Sequence, residues 1–119
     1  MSQEPDPSLG DIDALLRFLP AAETPVFDRT GGLTELVQVL YDHGWVSEFD
    51  WSEWQPVAER YARNPALLRD IGLGTLRKLF TTHVRRDRFC EGHLAEIARS
   101  GHLLALLRRL HEIRGGLQL

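Results

Sequence analysis

One short stretch of this sequence concentrates the side chains that could do chemistry. Residues 81–93 hold three of the fourteen basic residues, two of the five histidines and the only cysteine. Arg85 and Arg88 suit an anionic ligand, because a guanidinium group donates paired hydrogen bonds to carboxylate or phosphate oxygens. Asp87 lies between them and could orient both groups. We therefore predict a ligand-binding site formed by five residues: Arg85, Asp87, Arg88, Glu91 and His93.

The same residues also permit a purely structural interpretation. A partly buried carboxylate must be paired, because removing one partner of a buried ion pair costs about 3–5 kcal/mol. Asp87 and its neighbouring arginines would then form an ionic latch that fixes the joint between two helices. The alternative is an anion pocket, in which the remaining guanidinium groups lie beside the first turn of a new helix. The sequence leaves both open.

A second combination of residues in this stretch has the chemistry of metal ligands. His83, Cys90 and His93 could bind zinc through three side chains and a water molecule. However, neither Cys-x-x-Cys nor His-Glu-x-x-His occurs in the chain, and a lone cysteine on a helix usually packs as a small apolar residue. We therefore expect no metal and no cofactor.

An enzyme is the alternative to a binding module. His93 would act with Cys90 or Glu91 in a small hydrolase or transferase, with or without the help of a metal ion. Nothing in the sequence marks an oxyanion hole or a known thiol-enzyme signature. We therefore favour a small binding module for an anionic small molecule or protein partner.

The stretch and its surroundings also carry motifs found together elsewhere. Leu76-Arg77-Lys78-Leu79-Phe80-Thr81, Val84-Arg85, Asp87-Arg88-Phe89 and Glu91-Gly92-His93 resemble a family of small bacterial and archaeal proteins known only as a domain of unknown function. The likeness covers roughly residues 41–110, and its Arg-x-Asp-Arg-Phe-x-x-Gly core is fairly specific. The resemblance implies a stand-alone helical domain and no particular chemistry.

Apolar residues at helical spacing predict the elements that position this stretch. Helices are expected to begin at Ser8 or Asp11, near Leu33, at Asp50, after Asn64-Pro65 and near Thr75, and a last helix covers 102–114. Pro20, Gly44 and Gly115-Gly116 are expected to end helices. We predict an all-α fold, a compact orthogonal bundle of six or seven helices joined by short loops. Residues 1–7 are expected to form a disordered tail and residues 8–119 a single helical domain.

The helix that carries the central stretch presents a conflict. If it continues without a break, Asp87 falls on the buried stripe with Phe80 and His83, and Phe89 points outward. That is the wrong way round for a buried helix. We therefore predict a break near Arg86, with Asp87 as the N-cap of a new helix. The packed face of that helix would hold Phe89, Cys90, His93, Leu94 and Ile97.

Composition and charge limit the classes of partner. Apolar residues make up 43% of the chain and charged residues 26%, which is typical of a globular protein. No run of eighteen apolar residues exists, so we expect no membrane span. A single cysteine cannot form an internal disulfide, which favours a reducing compartment, and we expect the cytoplasm.

The charge is unevenly distributed along the chain. Residues 1–64 have four basic and twelve acidic side chains, a balance of −8, and residues 65–119 have ten and five, a balance of +5. The arginines are dispersed, and Trp51 and Trp54 have acidic neighbours where a nucleic-acid platform would have basic ones. We therefore do not expect a nucleic acid as partner.

A third possibility is a structural, self-associating protein. The last helix has leucines around much of its circumference, and part of that face could meet a second copy in a homodimer. The residues of that face are Leu103, Leu104, Leu106, Leu107 and Leu110.

Overall fold

A computed structural model describes residues 7–24, Phe27 and residues 31–116. In this part of the chain there are seven α-helices, one 3₁₀ helix and no strand. The elements are α1 (Leu9–Leu16), α2 (Leu19–Ala22), α3 (Gly32–Asp42), α4 (Trp51–Arg63), the 3₁₀ helix (Pro65–Asp70), α5 (Leu73–Asp87), α6 (His93–Arg99) and α7 (His102–Gly116). The predicted all-α bundle is confirmed. The predicted tail at 1–7 lies outside the described residues, apart from Pro7, which is buried.

Local signals place several helix ends where the sequence predicts them. Ser8 caps α1: its hydroxyl oxygen accepts a hydrogen bond from the backbone N–H of Asp11, and the Asp11 carboxylate accepts one from the N–H of Ser8. The Asp50 carboxylate accepts from the N–H of Glu53 at the start of α4. Gly44 follows α3 with a φ of 73°, a left-handed conformation that glycine adopts at little cost.

One predicted helix end is wrong. Pro20 does not stop a helix but lies in the first turn of α2, where its missing N–H has no intrahelical acceptor in any case. The predicted end of the last helix at Gly115-Gly116 agrees with the structure, in which α7 ends at Gly116, the last described residue.

The core lies between α5 and α7, with the other helices around them. α5 buries seven side chains between Leu76 and Val84 and packs against α4, α6 and α7, and α7 packs against α1, α2, α5 and α6. On α7, Leu103, Leu106, Leu107 and Leu110 are buried and Leu104 is half-buried. The leucine face predicted to meet a second copy is therefore covered by the chain's own helices.

A helix that crosses a bilayer needs about 20 consecutive, predominantly apolar residues. Among the described residues, no helix is both long and apolar enough to cross a membrane.

The ring of Phe27 lies against the first turn of α3 at Gly32, and this contact leads to a stability prediction. A Cβ atom at Gly32 would lie 2.5 Å from the ring of the buried Phe27. We expect Gly32→Ala to lower the free energy of unfolding by about 1–3 kcal/mol, because the ring must move out of a packed site. Urea unfolding would measure this loss.

Gly74, in the first turn of α5, is the matched control. A Cβ atom there would meet nothing within 4 Å, so Gly74→Ala is expected to raise the free energy of unfolding by about 0.5 kcal/mol. Equal effects at both positions would show that the ring of Phe27 does not exclude a side chain at Gly32.

Candidate functional site

The five predicted site residues lie where α5 ends and the chain turns into α6. α5 continues through Asp87, and the backbone N–H groups of Arg88, Phe89 and Cys90 donate to carbonyl oxygens of Arg85 and Arg86. The 88–92 turn then ends at Gly92, whose φ of 87° reverses the chain before α6. The predicted break near Arg86 is therefore confirmed within one residue, but the next helix begins at His93 and not directly after Asp87.

The predicted packed face of α6 is wrong at its first two residues. Phe89 is 77% exposed and Cys90 is also exposed, whereas Leu94 and Ile97 are buried as expected. Both residues lie in the turn between the two helices and not on α6, so they have no place on its packed face. Phe89 finds a different partner there, the indole of Trp51 in α4, on which its ring stacks at a centroid distance of 5.7 Å.

Asp87 is not the N-cap predicted for α6, but its carboxylate accepts a hydrogen bond from the first turn of that helix. One carboxylate oxygen accepts a hydrogen bond of 2.9 Å from the backbone N–H of Leu94, in the first turn of α6. This satisfies one of the amides that have no acceptor within the helix. Asp87 forms no ion pair with a neighbouring arginine among the described residues. The ion pair at this joint is instead Arg86 to Glu59 of α4, at 3.1 Å.

The loop before α4 is attached to α5 by a buried threonine. The hydroxyl of Thr81 donates to the carbonyl oxygen of Trp45 and accepts from the N–H of Ser47, both at 3.0 Å. The indole of Trp45 is fully buried, packs edge-on against Phe80 and donates to the carbonyl oxygen of Asp11. These contacts hold residues 45–49 against α5.

A groove lies between this loop, the start of α4 and the end of α5. We call it the aromatic groove. It has a volume of about 320 Å³. The residues that line it are Ser47, Glu48, Phe49, Trp51, Arg85, Arg88 and Phe89. It therefore joins two of the predicted arginines to the stacked, partly exposed rings of Trp51 and Phe89.

The guanidinium groups at the aromatic groove are free of acidic partners in the part of the chain that the structure describes. Neither Arg85 nor Arg88 has a carboxylate within ion-pair distance there. The guanidinium group of Arg85 lies over the ring of Tyr41, 6.0 Å from its centroid. Glu48 is the one acidic residue of the groove lining and is exposed.

The remaining predicted site residues lie outside this groove. Asp87 lines a neighbouring depression of about 430 Å³ together with Tyr41, Arg88 and Leu94. Glu91 is exposed in the 88–92 turn. The ring of His93 is half-buried and contacts His83, and it does not line the aromatic groove. The structure thus brings Arg85 and Arg88 together and separates them from Glu91 and His93.

His93 belongs to a cluster of three histidines from three helices. Nε2 of His93 in α6 lies 3.0 Å from Nδ1 of His83 in α5. The ring of His102 in α7 meets His83 edge-on, with centroids 5.1 Å apart. Nε2 of His83 and both ring nitrogens of His102 are buried without a hydrogen-bond partner. A buried polar atom left unpaired is unusual in a folded protein.

The surroundings of the histidine cluster favour neutral rings. Burial lowers the pKa of His83 well below its ordinary value, and the nearby His102, His93 and Arg86 add to this effect. Burial, with a smaller effect of His93, lowers the pKa of His102 to about 4. Burial and Arg86 also lower the pKa of His93, against the opposing effect of Asp87, Glu96 and Glu59. The lowered pKa values favour the neutral form of all three rings at pH 7.

The arrangement bears on the predicted metal and thiol chemistry. His83 and His93 do meet, but Cys90 lies on the surface, and its backbone carbonyl rather than its thiol contacts His93. No group of three or more His, Cys, Asp or Glu residues in the described ranges is placed to hold a metal ion. Sequence reasoning did not place His102 or Trp51 beside this stretch. His102 follows soon after His93, but its meeting with His83 depends on how α7 packs on α5. Trp51 comes from a distant part of the chain, and no local spacing links it to 81–93.

The chain was compared with protein families, curated proteins and solved structures. It belongs to a family of unknown function, DUF6508, whose model matches residues 21–116. No curated protein and no solved structure matches it.

Proposed function

We propose that this member of a family of unknown function is a binding module whose ligand carries an anionic group next to an apolar or aromatic part. Arg85 and Arg88 would hold the anionic group, and Trp51 and Phe89 would pack against the apolar part. The observation that carries the proposal is the aromatic groove itself, where two arginines without acidic partners in the described residues adjoin an exposed aromatic stack.

The physical properties of the groove fit such a ligand. An arginine near a low-dielectric aromatic wall attracts an anion more strongly than one in open water, because less of the attraction is screened. An aromatic side chain that is 77% exposed, as Phe89 is, carries unburied apolar surface that a ligand can cover. Stacked rings also offer a flat surface to a further planar group. A ligand with both features gains from each contact.

The alternatives draw less support from the geometry. The enzyme hypothesis requires Cys90 or Glu91 beside the imidazole of His93, but that imidazole faces His83. The homodimer hypothesis relied on the leucine face of α7, which is mostly buried. We propose a cytoplasmic location, since an exposed free thiol such as that of Cys90 is compatible with a reducing compartment.

A thermal-shift panel tests the proposal. The probes are phenyl phosphate, benzoate, inorganic phosphate and the uncharged benzyl alcohol. We expect phenyl phosphate or benzoate to raise the unfolding midpoint and the probes with only one of the two features to raise it less. A ligand at a hundred times its Kd stabilises by about 2.7 kcal/mol, which corresponds to several degrees for a domain of this size.

Variants identify the groove as the place of binding. The shift should disappear in Arg85→Ala/Arg88→Ala and be weakened in Trp51→Ala. Arg108→Ala, at an exposed arginine of α7 outside the groove, is the matched control and should keep the full shift. A shift that is retained in the double variant, or no shift with any probe, would contradict the proposal.

A further inference from the structure

The histidine cluster lies at a joint that the aromatic groove does not use. His83, His93 and His102 come from α5, α6 and α7, so the cluster is the point at which three helices meet. α6 has only seven residues, His93–Arg99, and buries Leu94 and Ile97. Two side-chain hydrogen bonds fasten its first turn to α5: His93 to His83, and Asp87 to the N–H of Leu94.

We propose that the three histidines form a proton-operated joint, which holds α6 against α5 and α7 while the rings are neutral and releases α6 when they are protonated. The geometry of the pair supports this. A hydrogen bond between two imidazoles requires one ring nitrogen to accept, and a doubly protonated pair has only donors at Nδ1 and Nε2. The bond of 3.0 Å between His83 and His93 is therefore lost once both rings are charged.

The charged groups around the cluster offset its protonation only in part, since the pKa of His93 stays lowered despite Asp87, Glu96 and Glu59. From α5, Arg86 adds a positive charge, and Asp87 already accepts from Leu94. From α4, Glu59 is paired with Arg86 at 3.1 Å. From α6, Glu96 is paired with Arg99 at 3.2 Å. On α7, the facing titratable group is His102, whose charge would add to the repulsion. Every carboxylate that faces the cluster from these helices thus has another partner.

The sign of the pH dependence follows from the lowered pKa values of all three histidines. A released imidazole regains an ordinary pKa near 6.5, so the open joint binds protons at a higher pH than the closed joint does. The joint is therefore most stable above pH 6.5 and weakens as the pH falls below it. Between pH 7.5 and 5.5 the opening equilibrium shifts by about tenfold for a released imidazole whose pKa in the closed joint is far below 5.5, as that of His102 is, and by less for a smaller shift.

The opening of the joint would also reach the aromatic groove. Arg88 and Phe89 line the groove and belong to the turn between α5 and α6. Release of α6 frees one end of this turn and thereby loosens one wall of the groove. This consequence rests on the proposed function, whereas the joint itself is independent of it.

Hydrogen exchange of the full chain without ligand tests the joint. We expect the opening of α6, corrected for the intrinsic pH dependence of exchange, to rise at least tenfold from pH 7.5 to 5.5, while the amides of α4 keep their protection. The rise should reverse when the pH is restored. A constant opening of α6, or an equal rise in α4 and α6, would refute the joint.

Three variants make the test specific. His93→Gln keeps a hydrogen-bonding group near His83 without an ionisable ring, and we expect a smaller acid-induced rise than in the wild type. His102→Phe keeps an edge-on ring and removes two unpaired nitrogens, so it should fold readily and also reduce the rise. His111→Gln alters an exposed histidine of α7 and should change nothing. The same rise in all three variants would exclude the cluster as its origin. Because no ligand is present, this result is separate from the thermal-shift test of the groove.

Discussion

We expect Thr81→Val to lower the free energy of unfolding by about 2–4 kcal/mol, although the two side chains have nearly the same shape. The hydroxyl of Thr81 is fully buried and forms two hydrogen bonds to the loop before α4. Valine leaves the carbonyl oxygen of Trp45 and the N–H of Ser47 without this partner, and each unpaired buried group costs about 1–3 kcal/mol. Urea unfolding measures the loss.

The neighbouring threonine provides a matched control. Thr82 is equally buried in α5, but its hydroxyl donates to the carbonyl oxygen of Lys78 within the same helix. That carbonyl lies in the helical hydrogen-bond ladder, so Thr82→Val is expected to cost no more than about 1 kcal/mol. If both variants lose the same stability, the bonds to the loop contribute nothing beyond those of an ordinary helical threonine.

The loop held by Thr81 forms one wall of the aromatic groove, which connects this stability prediction to binding. Ser47, Glu48 and Phe49, which follow Trp45 in this loop, line the groove. A loop that has lost its attachment to α5 samples more conformations, and a ligand must restrict them again on binding. Thr81→Val is therefore expected to weaken any ligand of the groove, and Thr82→Val is not.

Local chemistry explains which parts of the fold were predictable from the sequence. Ser8, Asp50 and Gly44 mark helix ends correctly, because each acts on backbone groups within three or four residues. The start of α6 and the partner of Phe89 were not predictable in this way. Phe89 lies in the turn before α6 and stacks on Trp51, which is far away in the sequence. No periodicity within residues 81–93 contains that information.

The candidate site divides along the same line. Arg85 and Arg88 were predictable as anion-binding groups from their residue type and spacing, and both line the aromatic groove. Their aromatic neighbours were not predicted, since Trp51 reads as a packing residue of α4. Likewise, His83 and His93 were noticed as a pair, but the meeting with His102 depends on how α7 crosses α5. Residue types suggested the chemistry, and tertiary packing decided which of them meet.

Trp45→Ala is expected to cause the largest loss of stability among these variants, about 3–5 kcal/mol. The indole of Trp45 is completely buried, packs edge-on against Phe80 at 5.6 Å and donates to the carbonyl oxygen of Asp11. Alanine leaves a large cavity between α1, α5 and the loop before α4. Single domains have a total stability of only about 5–15 kcal/mol, so a substantial unfolded fraction at moderate urea concentration is expected.

Trp51→Ala separates the structural role of tryptophan from its proposed binding role. Trp51 is half-buried and contacts Phe89 at the surface, so its loss should cost about 1 kcal/mol in stability. It removes one aromatic wall of the groove, however, and should weaken the binding of phenyl phosphate. Trp45→Ala should greatly lower the free energy of unfolding. Measured under conditions in which it is folded, it should change the affinity for phenyl phosphate less than Trp51→Ala does. If Trp51→Ala instead destabilised the protein as much as Trp45→Ala and left ligand binding unchanged, the stacked pair would be a packing feature, and the aromatic groove would lose the role we assign to it.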